Sequence, residues 1–234
     1  MRHRKLAATE QSFVDRVREL EERIFPYQLF EKNLNFMKSD GRHFWHFRPS
    51  HHIATGLVTE EDIELLSQPG KRLLSVGAHP GFLEQTLVAF GVPAENILLS
   101  DNDPAVSFCC DSIQAVIFDM LEKWPQIGTF DRIIFPESLC IAISDNMREK
   151  GIVSDATNIK AGIYEHDAVE ATLLADILRQ ALRRLQPGGV IRCNGPMSHP
   201  NVVKATSARL THEGYGHTMD YHRFFLSVTP LNRE

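Results

Sequence analysis

The sequence predicts an α/β domain, a sheet of short buried strands flanked by helices and preceded by an N-terminal helical cap. Three observations carry this. From Lys71 onward, short apolar runs alternate with segments whose apolar residues recur three or four apart. The first run, Leu73-Leu74-Ser75-Val76, passes directly into Gly77-Ala78-His79-Pro80-Gly81, a strand-turn-helix junction. The second, Ile97-Leu98-Leu99-Ser100, delivers an acid, Asp101, to its end. A chain of 234 residues buries about 70% of its extended surface, enough for one core with additions. The expected division is a helical cap with an aromatic lid over residues 1–70, then the α/β domain over 71–234 with an insertion at about 137–168.

The elements follow in chain order. Residues 10–38 carry a helical rhythm through Phe13, Val17, Leu20, Ile24, Leu29, Phe30, Leu34 and Met37, broken at Pro26. The pattern stops over 39–56, an aromatic and basic stretch that reads as a loop or lid. A short helix is expected over 59–67, capped by Thr59 with Glu60, Glu61 and Asp62 at its positive end. Strands are expected at 72–76, 97–100, 131–135 and 190–193, and a helix at 82–90. Asp103 and Pro104 suit the start of a helix. Residues 115–118 read as a third strand ending in Asp119, with a longer helix as the alternative. The strongest helix covers 169–185, stopped by Gln186-Pro187-Gly188-Gly189, and helix 200–212 precedes a terminal strand or hairpin.

Composition excludes several classes. With 25 Lys plus Arg against 30 Asp plus Glu, the formal charge of -5 removes the simplest reason to propose nucleic acid. No apolar run approaches the roughly 20 residues of a membrane span, and the basic start, Arg2 to Lys5, has no apolar signal core behind it. Cys109, Cys110, Cys140 and Cys193 form neither a disulfide ladder nor a CxxC hook, so a reducing cytoplasm fits. His43, His46, His51 and His52 match no standard zinc spacing, and no metal is expected. Phe44, Trp45 and His46 suit a lid over an organic substrate, or else pack the N-terminal helices onto the sheet or form an interface; a homodimer is left open.

The loop 77–81 has glycine where a side chain would block a ligand, ahead of a helix N-terminus with free N–H groups; a plain tight turn is the alternative. Asp101 can accept bonds from vicinal ribose hydroxyls, or, like Asp103, make a capping turn. Ligands sit beyond the carboxyl ends of strands, which singles out Pro136 and Glu137 after the fourth strand and His199 after the fifth. Glu137 could hold a substrate amine, act as a base, or cap the next helix; His199 is the first candidate base, ahead of His166 and Tyr164.

The glycine loop, Asp101, Phe130-Asp131-Arg132-Ile133-Ile134-Phe135 and Leu185-Gln186-Pro187-Gly188-Gly189-Val190-Ile191 together resemble the class I S-adenosylmethionine-dependent methyltransferases, with a Rossmann-like sheet. The resemblance spans about two thirds of the chain. It implies S-adenosylmethionine as cofactor, contacted by Gly77, His79, Gly81, Asp101, Asn102, Asp119 and Pro136, with Asp101 on the ribose and Asp119 near the adenine amine. It departs from the family pattern at Ser75, where an acid is common, and at His79, which replaces the loop's central glycine. Phe135-Pro136-Glu137-Ser138 lacks the Asn/Asp-Pro-Pro-aromatic signature of adenine or glutamine amino methylation. The implied activity is methyl transfer to a small organic molecule. Aminocarboxypropyl or aminopropyl transfer in the same fold, or a noncatalytic partner subunit, are the alternatives.

Overall fold

The computed structural model describes residues 7–25, 48–78, 80–106, 112–152, 159–195, 200–222 and 225–231, with the side chains of 159–166 excepted. Its centre is a seven-stranded sheet in the order β3-β2-β1-β4-β5-β7-β6. The strands are β1 (Leu73–Val76), β2 (Ile97–Asp101), β3 (Gln114–Ile117), β4 (Phe130–Pro136), β5 (Leu185–Asn194), β6 (His217–His222) and β7 (Phe225–Pro230). β1 to β5 pair in parallel, while β7 runs antiparallel between β5 and β6. The chain builds outward from β1 through β2 to β3, then crosses back to β4. The carboxyl ends of β1 and β4 therefore flank the switch point where such sheets hold ligands.

Alternation along β4 divides the core in two. Ile133 and Phe135 join one cluster with Trp124, Leu139, Leu174 and Leu178. That layer contains α5 (Ser138–Glu149), α6 (Ile159–Leu182) and α7 (Pro200–His212). Ile134 joins the other cluster with Phe13, Val17, Leu57, Leu66, Leu83 and Leu87. Apart from Leu57, which follows α2 (Pro49–Ala54), these come from α1 (Ala8–Ile24), α3 (Glu60–Leu66) and α4 (Phe82–Ala89), and α2 adds Ile53. α1 buries Phe13, Val14, Val17 and Glu21, a stripe at helical spacing. No described helix is long and apolar enough to cross a membrane.

Several expectations are corrected. Residues 49–54, inside the expected loop, form α2: Pro49 sits in its first turn, and the Ser50 N–H and hydroxyl both donate to the buried Glu21 carboxylate at 2.8 Å. The strong helix begins at Ile159, ten residues early, and ends at Leu182. The Pro-Gly-Gly segment lies within β5 as an irregularity in its pairing with β4, where the register shifts between Phe130 and Arg132 and Gly188 has φ +76°. The third strand is real, and the terminal segment is a hairpin. The continuation of the helix expected after Pro104, with Cys109 and Cys110, lies outside the described residues, as do residues 26–47.

α3 is fastened by charge. Thr59 caps it by accepting the Asp62 N–H, and Asp62 returns a bond to the Thr59 N–H at 2.9 Å. The same carboxylate, only 3% exposed, takes Arg132 Nε of β4 at 2.5 Å and Arg192 Nη1 of β5. Burial alone would raise its pKa, but Arg192, Arg132 and the Thr59 N–H outweigh that and hold it below the usual carboxylate range. Its stabilisation is thus present at neutral pH and is lost as pH falls through the lowered pKa. Asp62→Ala leaves two half-buried guanidiniums unpaired and should cost about 3–5 kcal/mol in urea unfolding at pH 7. A loss under about 1 kcal/mol would show that the clamp is not needed.

Candidate functional site

The carboxyl end of β1 is shaped by a missing side chain. Gly77 has φ +71°, and a Cβ there would lie 2.2 Å from Cβ of Ser138, the first residue of α5. Ser138 Oγ donates to the Val76 carbonyl at 2.6 Å, so α5 starts hard against β1. Glycine is required at 77 by this packing, a different reason from the ligand approach expected of it. The N–H groups of Gly77 and Ala78 donate to the Ser100 carbonyl at 2.7 and 3.0 Å, which ties the turn to β2. Gly81, left-handed at φ +77°, begins α4.

Beside this turn lies a small cleft lined by Gly77, Ala78, Pro80, Gly81, Glu84, Pro136 and His52. Three of the expected cofactor residues, Gly77, Gly81 and Pro136, thus share one wall. Asp101 stands at the end of β2, where one carboxylate oxygen accepts the Asp103 N–H at 3.0 Å; Asp103 in turn accepts the Ala105 N–H at 2.8 Å. Asn102 is exposed in that turn. The Phe118 N–H donates to the Asp101 carbonyl at 3.0 Å, bringing the next turn alongside, where Asp119 accepts the Leu121 N–H at 2.9 Å. Both acids therefore sit at adjacent strand ends in side-chain-braced turns.

Glu137 follows β4 and is the one non-glycine residue with positive φ, +54°, among those described. Strain of this kind costs about 1–3 kcal/mol and persists where the surroundings enforce it. It occupies the N-cap position of α5, yet its side chain caps nothing. Its N–H donates to Oδ1 of the buried Asn194 at 3.0 Å, and Oε1 meets Nε2 of His51 at 2.8 Å. Asn194, with its oxygen so engaged, donates from Nδ2 to His52 Nδ1 at 3.0 Å and to Thr55 Oγ1 at 2.9 Å. That geometry leaves the His52 proton on Nε2. α2 thereby delivers His51, His52 and Thr55 to the ends of β4 and β5.

Glu84 is the other acid at the cleft. It is 1% exposed, and the Ser75 hydroxyl donates to it at 2.5 Å. Burial pushes its pKa up to about 7, against the opposing bonds from Ser75 and from its own N–H. His51, His52, Thr55, Asn194 and Glu84 had no role assigned from sequence. The signals were faint: a pair of histidines in a cluster rejected as a metal site, and a serine where an acid is common. Of the other expected site residues, His79, His199, Phe44, Trp45 and His46 lie outside the described residues, as do the side chains of Tyr164 and His166.

The strand order, with antiparallel β7 between β5 and β6, gives the chain the Rossmann-like fold of the class I methyltransferases. No protein-family model matches the sequence, and no curated protein does. Solved structures similar to the chain include a TehB-like SAM-dependent methyltransferase from Corynebacterium glutamicum, at 13% identity and TM-score 0.47, covering 87% of this chain and 97% of that one. TrmN from Thermus thermophilus matches at 17% identity and TM-score 0.49, over 84% of this chain and 52% of that one. The sugar N-methyltransferase KedS8 from Streptoalloteichus matches at 14% identity and TM-score 0.47, over 90% and 94%. The assignment of the fold rests on the chain's own strand order and register.

Three substitutions test this geometry. Gly77→Ala should destabilise the protein by about 2–4 kcal/mol in urea unfolding through overlap and backbone strain, and adding Ser138→Gly should restore part of the loss; no recovery would show that the overlap is not the cause. The raised pKa of Glu84 means its protonated form stabilises the fold below the ordinary carboxylate range and that stability is lost as pH rises through about 7. Glu84→Gln should therefore gain up to about 3 kcal/mol over wild type at pH 9 and little at pH 4. An equal difference at both pH values would contradict the burial argument.

Proposed function

We propose that the chain transfers a methyl group from S-adenosylmethionine to a small organic molecule. One observation carries the reading: Gly77, Ala78 and Gly81 line a cleft at the switch point, and Asp101 and Asp119 stand at the neighbouring ends of β2 and β3. The donor set suits the cofactor, since Asp101 offers a carboxylate at the strand end for vicinal hydroxyls and Asp119 lies alongside. Pro136, Gly77 and Gly81 would bound its amino-acid portion. When bound, the cofactor supplies an electrophilic methyl on a sulfonium.

The chain's own task is then to exclude water, align the acceptor and manage its proton. The Glu137–His51 pair, next to Pro136 on the cleft wall, fits the last of these. The imidazole accepts the proton of an acceptor hydroxyl or amine, and the carboxylate 2.8 Å away stabilises the imidazolium that forms. Asn194 holds the Glu137 backbone in place while it does so.

Calorimetric titration with S-adenosylhomocysteine, beside NAD as control, tests the reading. Wild type should bind the first at micromolar affinity and not the second. Asp101→Ala should weaken that binding about 30-fold to 1000-fold, the loss of two charge-assisted hydrogen bonds worth about 2–4 kcal/mol. Absence of binding by the folded wild type would overturn the proposal. With turnover in hand, released S-adenosylhomocysteine marks methyl transfer, and methylthioadenosine marks aminocarboxypropyl or aminopropyl transfer instead.

A further inference from the structure

Glu84 is a buried acid with no counter-ion among the described residues. Among the described residues, Ser75 is the one side chain that bonds it, and no cation pairs with it. The charged groups on the elements around α4 are otherwise engaged. β1 contributes no titratable side chain, only Ser75. On α2, His51 faces Glu137, and His52, which lines the same cleft, receives the Asn194 amide on Nδ1. On α1, Glu21 is held by Ser50 and by Arg48 at 3.0 Å. Asp101 ends β2 in its own turn. No group of three or more His, Cys, Asp or Glu able to hold a metal occurs among the described residues.

A carboxylate desolvated in this way is costly when charged. Because Glu84 lines the cleft beside Gly77, Ala78 and Gly81, a ligand ammonium placed there would complete an ion pair that the described residues leave open. We propose that Glu84 is the group that receives the ammonium of the ligand's amino-acid portion. The inference rests on the cofactor reading above and assigns to it a residue of the helix that follows the glycine turn. Ser75, in the strand position where an acid is common in the resembled family, becomes the residue that holds this acid from behind.

The physical consequence is a coupling between binding and pH. Below neutrality the ligand must displace a proton, so its affinity rises with pH through the range in which free Glu84 ionises. A ligand with the same adenosine but no ammonium has no such coupling.

Titration calorimetry with S-adenosylhomocysteine and with methylthioadenosine, which lacks the amino-acid portion, tests this at pH 6.5 in two buffers of different ionisation enthalpy. Wild type should release between half and one proton on binding S-adenosylhomocysteine and none on binding methylthioadenosine. Glu84→Gln should abolish the release and lower affinity for S-adenosylhomocysteine at pH 8 at least tenfold, with methylthioadenosine affinity unchanged. If wild type binds S-adenosylhomocysteine without releasing a proton, or the variant binds it as wild type does, the role of Glu84 is wrong and the cofactor reading stands. If wild type binds neither ligand, both fall.

Discussion

Much of the site depends on the absence of one side chain. Because residue 77 lacks a Cβ, Ser138 can approach to where that atom would stand and bond the Val76 carbonyl. α5 therefore begins against the end of β1, which draws Pro136 to the cleft wall with Glu137 next to it in the chain. The sharp entry into the helix forces Glu137 into a left-handed conformation, which Asn194 secures from β5 through the Glu137 N–H. Gly195 permits the same crowding from the other side, since a Cβ there would lie 3.3 Å from the Glu137 Cα. One close contact between β1 and α5 thus sets the turn, the cleft wall and the acid beside it.

Two buried carboxylates illustrate opposite uses of the same physics. Asp62 meets two guanidiniums and is held below the ordinary range, an arrangement that locks α3 to the middle of β4 and β5. Glu84 meets the Ser75 hydroxyl and, among the described residues, no cation, and is pushed to about 7. The first is internally neutralised and adds rigidity; the second lies desolvated in the lining of a cleft. The placement agrees with the difference, Asp62 being among packed helices and Glu84 under the turn 77–81.

The sheet and its strand ends were legible because they depend on local pattern. Leu73-Leu74-Ser75-Val76 followed by glycine, and Ile97 to Ser100 followed by Asp101, reveal a strand and its terminus within a few residues. The turn acids Asp101 and Asp103 were legible for the same reason. The cluster at the ends of β4 and β5 was not: His51 reaches Glu137 across 86 residues and Asn194 reaches His52 across 142. No spacing rule encodes such contacts, which arise only once α2 folds over the strand ends. Glu84 lies nine residues from Ser75, but that pairing joins a strand to the helix after it and has no periodic signature. The Pro-Gly-Gly segment misled locally, because a turn composition was absorbed into β5 as an irregularity rather than ending it.

A crystal structure of the protein grown with S-adenosylhomocysteine tests whether the cleft at the carboxyl ends of β1 and β4 is a nucleoside cofactor site. The amino-acid portion should lie beside the turn 77–81 and the ribose hydroxyls on Asp101, with Pro136 against the ligand. Ligand density at another surface, or at this cleft with the ribose turned away from Asp101, would contradict it.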